Sequence, residues 1–508
     1  MQGIRLRARL VYALLALGLL SASDLPGQVL TTLYNFCAGG GANCPDGQHL
    51  TAPLVQDSDG NLYGTTHQGG IHSGGTVFKI SPGGSMTTLY DFCAVAGCAD
   101  GEYPYAGLTA TPSGTLFGTT QAGGTKSYGT VFSITPAGAL TTIYDFCSKS
   151  ECSDGGYPYG GLSQSTSGVF YGTTYIGGNS QSQGTVFQIA SSGALTTLYQ
   201  FCLGFECPDG LAAMSGVIVA SDGNLYGTAY SGAGAGWSQG LGNGGTVFKL
   251  TPGGNETTLY GFCLAVENCP DGYGPRAGLV QGSDGNLYGS TYLSGAYGDY
   301  GTIFKITLGG NLTTLYSFCA VSGCPDGANP QAQLIQANDG NFYGTTQFGG
   351  AYNGGTVFRF TPGGTLTTLY SFCAEAGCPD GQAPYAGLFQ ATDGNLYGTT
   401  YQGGTAGKGT IFKLSVGLAP FVKMLPASAA AGSEVQILGS NLTGATKVSF
   451  NGKAAAFKVI SASRIIATVP GGATTGEVRV TTPGGTISGN IAFQVQSDAL
   501  PRASVRTR

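Results

Sequence analysis

The tetrapeptide T-T-[LI]-Y begins at Thr31, Thr87, Thr141, Thr196, Thr257, Thr313 and Thr367, at spacings of 54 to 61 residues. Seven copies at that period confine the chain to a stack or ring of one supersecondary unit. Each copy continues with a Cys pair, an Asp-Gly, a Gly-rich segment and G-T-[VI]-F, and the copies fill almost all of residues 29–415. In the last copy four runs read as strands: 367–372, 386–390, 395–400 and 410–414. They are rich in Tyr, Phe, Val, Leu and Thr, which suit a pleated, half-buried surface. Asp393-Gly394-Asn395 is a hairpin signal, and Thr361-Pro362-Gly363-Gly364 is a turn between runs. No segment of the repeat holds a 3.6-residue period.

Four antiparallel strands repeated seven times predict an all-β, seven-bladed β-propeller, with a linear solenoid as the rival. The hairpins link A-G-L to L-Y-G-T-T, then to T-V-F-K-I, then to T-T-L-Y, which makes T-T-L-Y the outermost strand. The first T-T-L-Y then has no blade of its own, and the last unit lacks an outer strand. Pairing the two closes the ring and removes open edges. The 90 glycines fit the many tight turns such a fold requires. This order puts the Asp-Gly-Asn and Pro-Gly-Gly turns on one face. The Cys connections and the Gly-rich loops fall on the other, where a ligand site is expected.

Arg5, Arg7 and Arg9 precede an apolar run over 10–20 and a small-residue site at Ser21-Ala22-Ser23. This pattern predicts a signal peptide over 1–23 and a secreted or cell-surface protein. No second apolar run of membrane-spanning length follows. The propeller is assigned to 24–417, a second domain to 418–497 and a flexible tail to 498–508. Residues 24–418 carry a net charge of −14, whereas 419–497 carry +4. The acidic body argues against nucleic acid and against an anionic membrane surface as partners. A monomer is expected.

The segment after Gly417 has short β-branched runs separated by turns, which predicts a small β-sandwich. Gly432 before Val435-Gln436-Ile437, Gly439 with Asn441-Leu442, the 448–452 stretch, Val469-Pro470 and the 480–485 stretch resemble the IPT/TIG family of immunoglobulin-like domains. That resemblance implies a spacer or interaction module. The recurring D-G-N-L-Y-G-T-T, G-G-T-V-F and T-T-L-Y-x-F resemble the GloVer-type tandem repeats of bacterial exported proteins. That family usually carries a C-terminal surface anchor, and this chain shows no sorting motif. The resemblance implies export and a repeat fold, and no biochemical activity comes with it.

All fourteen cysteines fall two to a unit: Cys37/Cys44, Cys93/Cys98, Cys147/Cys152, Cys202/Cys207, Cys263/Cys269, Cys319/Cys324 and Cys373/Cys378. In an exported chain this predicts seven local disulfides. Zinc is the weaker reading, because two thiolates per loop leave half a tetrahedral site unfilled. An Asp-Gly follows each pair, at Asp46, Asp100, Asp154, Asp209, Asp271, Asp326 and Asp380. These carboxylates read first as turn residues and second as a ring facing a ligand or cation. Asp57-x-Asp59-Gly60-Asn61 resembles the start of a calcium loop, but no bidentate Glu follows, so the hairpin reading is preferred and calcium stays a secondary candidate.

Aromatic residues crowd the loops of the Cys face. Tyr105, Tyr159, Tyr273 and Tyr385 follow the Asp-Gly, and Trp237, the only Trp, lies in the longest Gly-rich loop. Aromatic faces beside carboxylates suit sugar rings, so these residues are the candidate ligand set. His49, His67 and His72, all in the first unit, are weak metal candidates. There is no G-x-S-x-G, H-E-x-x-H or P-loop. The expected role is non-catalytic binding or scaffolding outside the cell, with polysaccharide as the first ligand and a surface protein as another partner. A polysaccharide lyase or glycoside hydrolase, and a structural envelope protein, are the alternatives.

Overall fold

The computed structural model describes residues 28–40, 44–165, 167–202, 207–233, 244–264 and 268–496. The expected signal segment and the tail from 498 lie outside them. Seven four-stranded antiparallel sheets form the blades of a propeller, and two further four-stranded sheets form a C-terminal sandwich. In blade 2 the strands run outward in chain order: Thr109–Ala110, Leu116–Thr120, Thr130–Ile134 and Leu140–Asp145. Blade 7 takes three strands from the end of the repeat, Phe389–Gln390, Leu396–Thr399 and Thr410–Ser415, and its outer strand, Val29–Asn35, from the start. The ring therefore closes as the strand order requires.

The motif residues each have a structural reason. The Gly of Y-G-T-T lets the Phe of G-T-[VI]-F lie flat across the second strand. A Cβ on Gly118 would stand 2.5 Å from the ring of Phe132, and one on Gly172 2.5 Å from Phe187. Those phenylalanines are fully buried between blades. The last Thr of Y-G-T-T meets the first Thr of the next strand, as in Thr120–Thr130 at 2.9 Å and Thr346–Thr356 at 2.8 Å. Both hydroxyls are buried and need that partner. The innermost strand is shorter than its sequence suggests. Only Phe389–Gln390 pairs in blade 7, because the preceding residues leave the ladder to converge on the propeller axis, where a Cβ on Gly387 would stand 2.8 Å from Gln333 O of the neighbouring blade.

The sandwich packs Lys423–Leu425, Glu434–Leu438, Arg464–Thr468 and Phe457–Ser461 against Lys453–Ala454, Lys447–Phe450, Val478–Thr482 and Gly485–Ser488. Ile437, Phe450, Val480 and Phe493 fill its core. It sits against the Asp-Gly-Asn face of the propeller. Phe421 N donates to Thr392 O at 3.1 Å, Thr392 Oγ1 meets Ser440 Oγ at 3.0 Å, and Ser463 Oγ donates to Ser58 O at 3.3 Å.

Asp57 lies close to this junction, 1% exposed, and neither carboxylate oxygen has a hydrogen-bond partner of good geometry among the described residues. Burial pushes its pKa up, opposed first by the nearby Ser58 backbone N–H and last by Arg464 of the sandwich, while Asp59 adds to the rise. A carboxyl whose folded pKa is raised favours the fold below its unfolded pKa and loses that contribution as pH rises. Asp57→Asn is therefore expected to stabilise the protein near neutral pH by about 1–3 kcal/mol and to have little effect near pH ~4. Thermal denaturation of the two proteins at both pH values checks this. A variant less stable at neutral pH would mean that the carboxylate is satisfied.

Candidate functional site

Each unit approaches the propeller axis just after its Asp-Gly. The residue that reaches the axis is Thr51, Tyr105, Tyr159 or Met214 in blades 1 to 4, and Arg276, Gln331 or Tyr385 in blades 5 to 7; all seven line one cavity of about 280 Å³. The backbone beneath this ring is held from the preceding blade by the first Thr or Ser of the second strand's final pair. Thr65 Oγ1 donates to Ala106 O (3.2 Å), Thr173 to Ser215 O (2.7 Å), Thr228 to Ala277 O (3.0 Å) and Thr345 to Ala386 O (3.0 Å). Thr399 reaches Ala52 O at 3.4 Å, so the same contact spans the closure. The repeat motif thus builds a rigid circle and leaves one position per blade free to vary.

A second tier follows the Y-G-T-T strand and supports the first. The His67 ring lies 5.3 Å from Tyr103 and 5.5 Å from Tyr105, Tyr105 lies 5.1 Å from Tyr159, and Tyr159 lies 5.2 Å from Tyr175. Across the axis Tyr385 lies 4.7 Å from Tyr401, which stacks on His49 at 4.4 Å. Edge-to-face and offset geometries of this kind are the favourable ones for aromatic pairs. Between the arcs Gln347 accepts from Tyr292 OH and from Gln331 Nε2, both at 3.1 Å, and donates to Tyr385 OH at 2.8 Å.

Among the described residues Arg276 is the one formally charged residue that lines the cavity. Its guanidinium lies 3.9 Å from the Tyr292 ring centre and 5.1 Å from that of Tyr230. Cation–π contact of this kind positions an arginine without using its N–H donors. Burial pushes the Tyr105 pKa up to about 12, with smaller effects from the neighbouring tyrosines and an opposing one from Arg276. Burial also lowers the His67 pKa to about 4, with His49 adding to the effect. At neutral pH the wall is therefore aromatic, amide-bearing and singly positive.

Tyr105, Tyr159 and Tyr385 line the cavity, as candidate ligand residues should, whereas Tyr273 is not among its lining residues and pairs in a β-bridge with Leu293. The seven Asp-Gly aspartates do not form a ring open to ligand. Each carboxylate accepts the hydroxyl of the T-T-L-Y tyrosine of its own unit, from Tyr34–Asp46 at 3.0 Å through Tyr144–Asp154 at 2.8 Å to Tyr370–Asp380 at 2.8 Å. Asp100, Asp209, Asp271 and Asp326 are bonded in the same way. Backbone N–H groups of the Cys loop complete the set, such as Cys202 N to Asp209 at 2.8 Å. Carboxylates bonded in this way fix a loop and are spent on it, although Asp209 Oδ1 is itself buried without a partner among the described residues.

Asp59 is likewise used by its hairpin, accepting from Asn61 N, Asn61 Nδ2 and Tyr63 OH at 2.7–2.9 Å. The cysteines are joined as Cys37–Cys44, Cys93–Cys98, Cys147–Cys152, Cys202–Cys207, Cys263–Cys269, Cys319–Cys324 and Cys373–Cys378. His49, His67 and His72 do not come together as ligands. Among the described residues one cluster has metal-ligand spacing, Cys93, Cys98 and Glu102, and its sulfurs are bonded to each other. Trp237 lies outside the described residues.

Sequence reasoning missed Arg276, Gln331, Gln347 and Met214. The available signal was variability: the position just before A-G-L, which holds Met214, Arg276 and Gln331, and the one just after Y-G-T-T, which holds Gln347, differ from copy to copy in an otherwise repeated frame.

The model of the Gloeobacter/Verrucomicrobia repeat matches residues 16–239 and 234–454. The chain belongs to this repeat family. The IPT/TIG domain model matches residues 421–495 of it. Among curated proteins none matches. Similar solved structures include virginiamycin B lyase from Staphylococcus aureus, at 14% identity over 77% of this chain and 99% of that one, with a TM-score of 0.48. Another is the PQQ-bound aldose sugar dehydrogenase from Streptomyces coelicolor, at 15% identity over 77% and 99% of the two chains, with a TM-score of 0.37. At these identities and scores neither bears on what the repeat-family protein does.

Proposed function

We propose that this protein is an exported, non-catalytic binding protein whose axial pocket holds one sugar unit of an extracellular polysaccharide. The observation that carries the reading is the ring itself: Tyr105, Tyr159 and Tyr385 offer aromatic walls, and Gln331 and Gln347 bring amides beside them. Sugars present apolar C–H faces and hydroxyl edges, which such a wall complements. The sandwich contacts the opposite face and leaves the pocket mouth clear. Seven disulfides fit an oxidising compartment outside the cytoplasm.

One observation favours an enzyme acting on polysaccharide as the second reading. His67, held unprotonated by burial, has its ring 5.5 Å from that of Tyr105, which lines the pocket, and would be the base of such a reaction. A panel of polysaccharides, scored for retention and for new reducing or unsaturated ends, separates the two. Retention without product is expected. The double variant Tyr105→Ala, Tyr385→Ala should weaken retention by roughly tenfold or more. Product that vanishes in His67→Ala would replace the binding reading with catalysis. Silence on every glycan would favour the structural envelope role.

A further inference from the structure

We infer that the group entering the axial pocket is singly anionic, a uronate sugar at the end of a glycan, with its carboxylate paired to Arg276. The inference rests on the carbohydrate reading above and narrows it.

The first observation is what Arg276 lacks. Among the described residues it makes no ion pair; the two salt bridges present are Lys249–Asp222 and Arg479–Glu477. Its Nε is buried without a hydrogen-bond partner. The tyrosine faces of Tyr230 and Tyr292 hold the guanidinium by its π-surface and leave the donor edge uncommitted. Among the described residues no carboxylate lines the cavity. An unpaired, partly desolvated cation in a small aromatic pocket is unfavourable until an anion arrives, and the planar guanidinium fork matches a carboxylate in two parallel bonds.

The second observation is the rest of the wall. Gln331 and Gln333 line the cavity beside Arg276, and Gln347 lies behind Gln331. Amides serve hydroxyls as both donor and acceptor, which a sugar ring needs and a simple carboxylate does not. Tyr105 and Tyr159 stand in the same cavity and offer ring faces to the C–H side of the sugar. Cavity size favours one ring, since about 280 Å³ is at the small end for ligand pockets.

The third observation limits the charge. The propeller body, residues 24–418, is at −14. A polyanion lying across that surface would be repelled along its length, whereas a single carboxylate at the inserted end meets only the local field of Arg276. A terminal uronate therefore fits better than a phosphate group or an internal run of uronates.

Calorimetric titration of the exported protein with a disaccharide ending in glucuronic acid, beside its neutral glucose counterpart, tests this. The uronate is expected to bind roughly tenfold tighter or more. Arg276→Gln should abolish that preference, the two sugars then binding equally, and Arg276→Lys should leave part of it. Should Arg276→Gln fail to fold, Gln331→Glu serves: a carboxylate on the same wall should remove the preference with Arg276 intact. Equal affinity for the two sugars, or a preference that survives Arg276→Gln, overturns the anionic inference and leaves the carbohydrate reading standing. Tight binding of acetate alone, matching the uronate, overturns the sugar part. Failure of both sugars in the wild type overturns the inference together with the reading beneath it.

Discussion

Reduction with dithiothreitol is expected to unfold the propeller at denaturant concentrations the oxidised protein survives easily. The disulfides close rings with sequence separations of only 5 to 7 residues. In the chain-entropy account each such ring contributes about 2 kcal/mol, so seven contribute roughly 15 kcal/mol. That is comparable to the whole stability of a typical domain, about 5–15 kcal/mol. A second term acts in the same direction. All fourteen cysteines have positive φ, for example 62° at Cys37 and 51° at Cys378. Residues other than glycine adopt that region at a cost of roughly 1 kcal/mol or more, and hold it only where the surroundings over-determine it. The bridges supply much of that constraint. Far-UV circular dichroism against urea, with and without reductant, measures the effect, and the same logic predicts poor folding in a reducing cytoplasm. A midpoint shift equivalent to less than about 5 kcal/mol would show that the Cys loops hold without their bridges.

Much of the fold was legible because the repeat prints each constraint seven times. Strand order followed from hairpin signals such as Asp393-Gly394-Asn395, and ring closure followed from the unpaired T-T-L-Y at Thr31 and the missing outer strand after Leu414. The partner of the T-T-L-Y tyrosine was not legible. Tyr144 and Asp154 are ten residues apart with a disulfide loop between them, and only the return of the chain brings hydroxyl to carboxylate. The aspartates therefore looked available for a ligand when they were already bonded. Arg276 was hidden for a different reason. Within its own copy it is one deviation among many; its meaning arises when ring closure sets seven variable positions around one axis. Trp237 drew notice because it is the only Trp, but rarity marks no geometry.

The same tyrosine–aspartate contacts predict a steep loss of stability in alkali. Burial, the adjacent carboxylate and the hydrogen bond to it push Tyr34 and Tyr260 from 10.0 up to about 12. Tyr144 reaches about 12 as well, with Ser148 opposing the rise, and Tyr90, Tyr199, Tyr316 and Tyr370 are raised further. A second set on the Asp-Gly-Asn hairpins, Tyr63, Tyr288, Tyr343 and Tyr397, is raised for the same causes. The folded state keeps these protons where the unfolded chain has lost them. Their contribution is therefore fully present below the unfolded pKa of 10.0 and disappears as pH climbs toward 12 and beyond. Three such tyrosines alone give a slope of about 4 kcal/mol per pH unit, and about half that once solvent screening of these partly exposed rings is counted. With eleven in play, the thermal midpoint should fall sharply above pH ~10. Tyrosinate absorbance should rise together with unfolding and not before it. Gradual ionisation of most tyrosines in a protein that stays folded would refute the clamp. Replacing one of them, Tyr144→Phe, should flatten the slope by one proton's worth, since Asp154 keeps its backbone donors and loses only the hydroxyl. That separates a clamp that titrates from a loop that merely contains tyrosine, because the second would leave the slope unchanged.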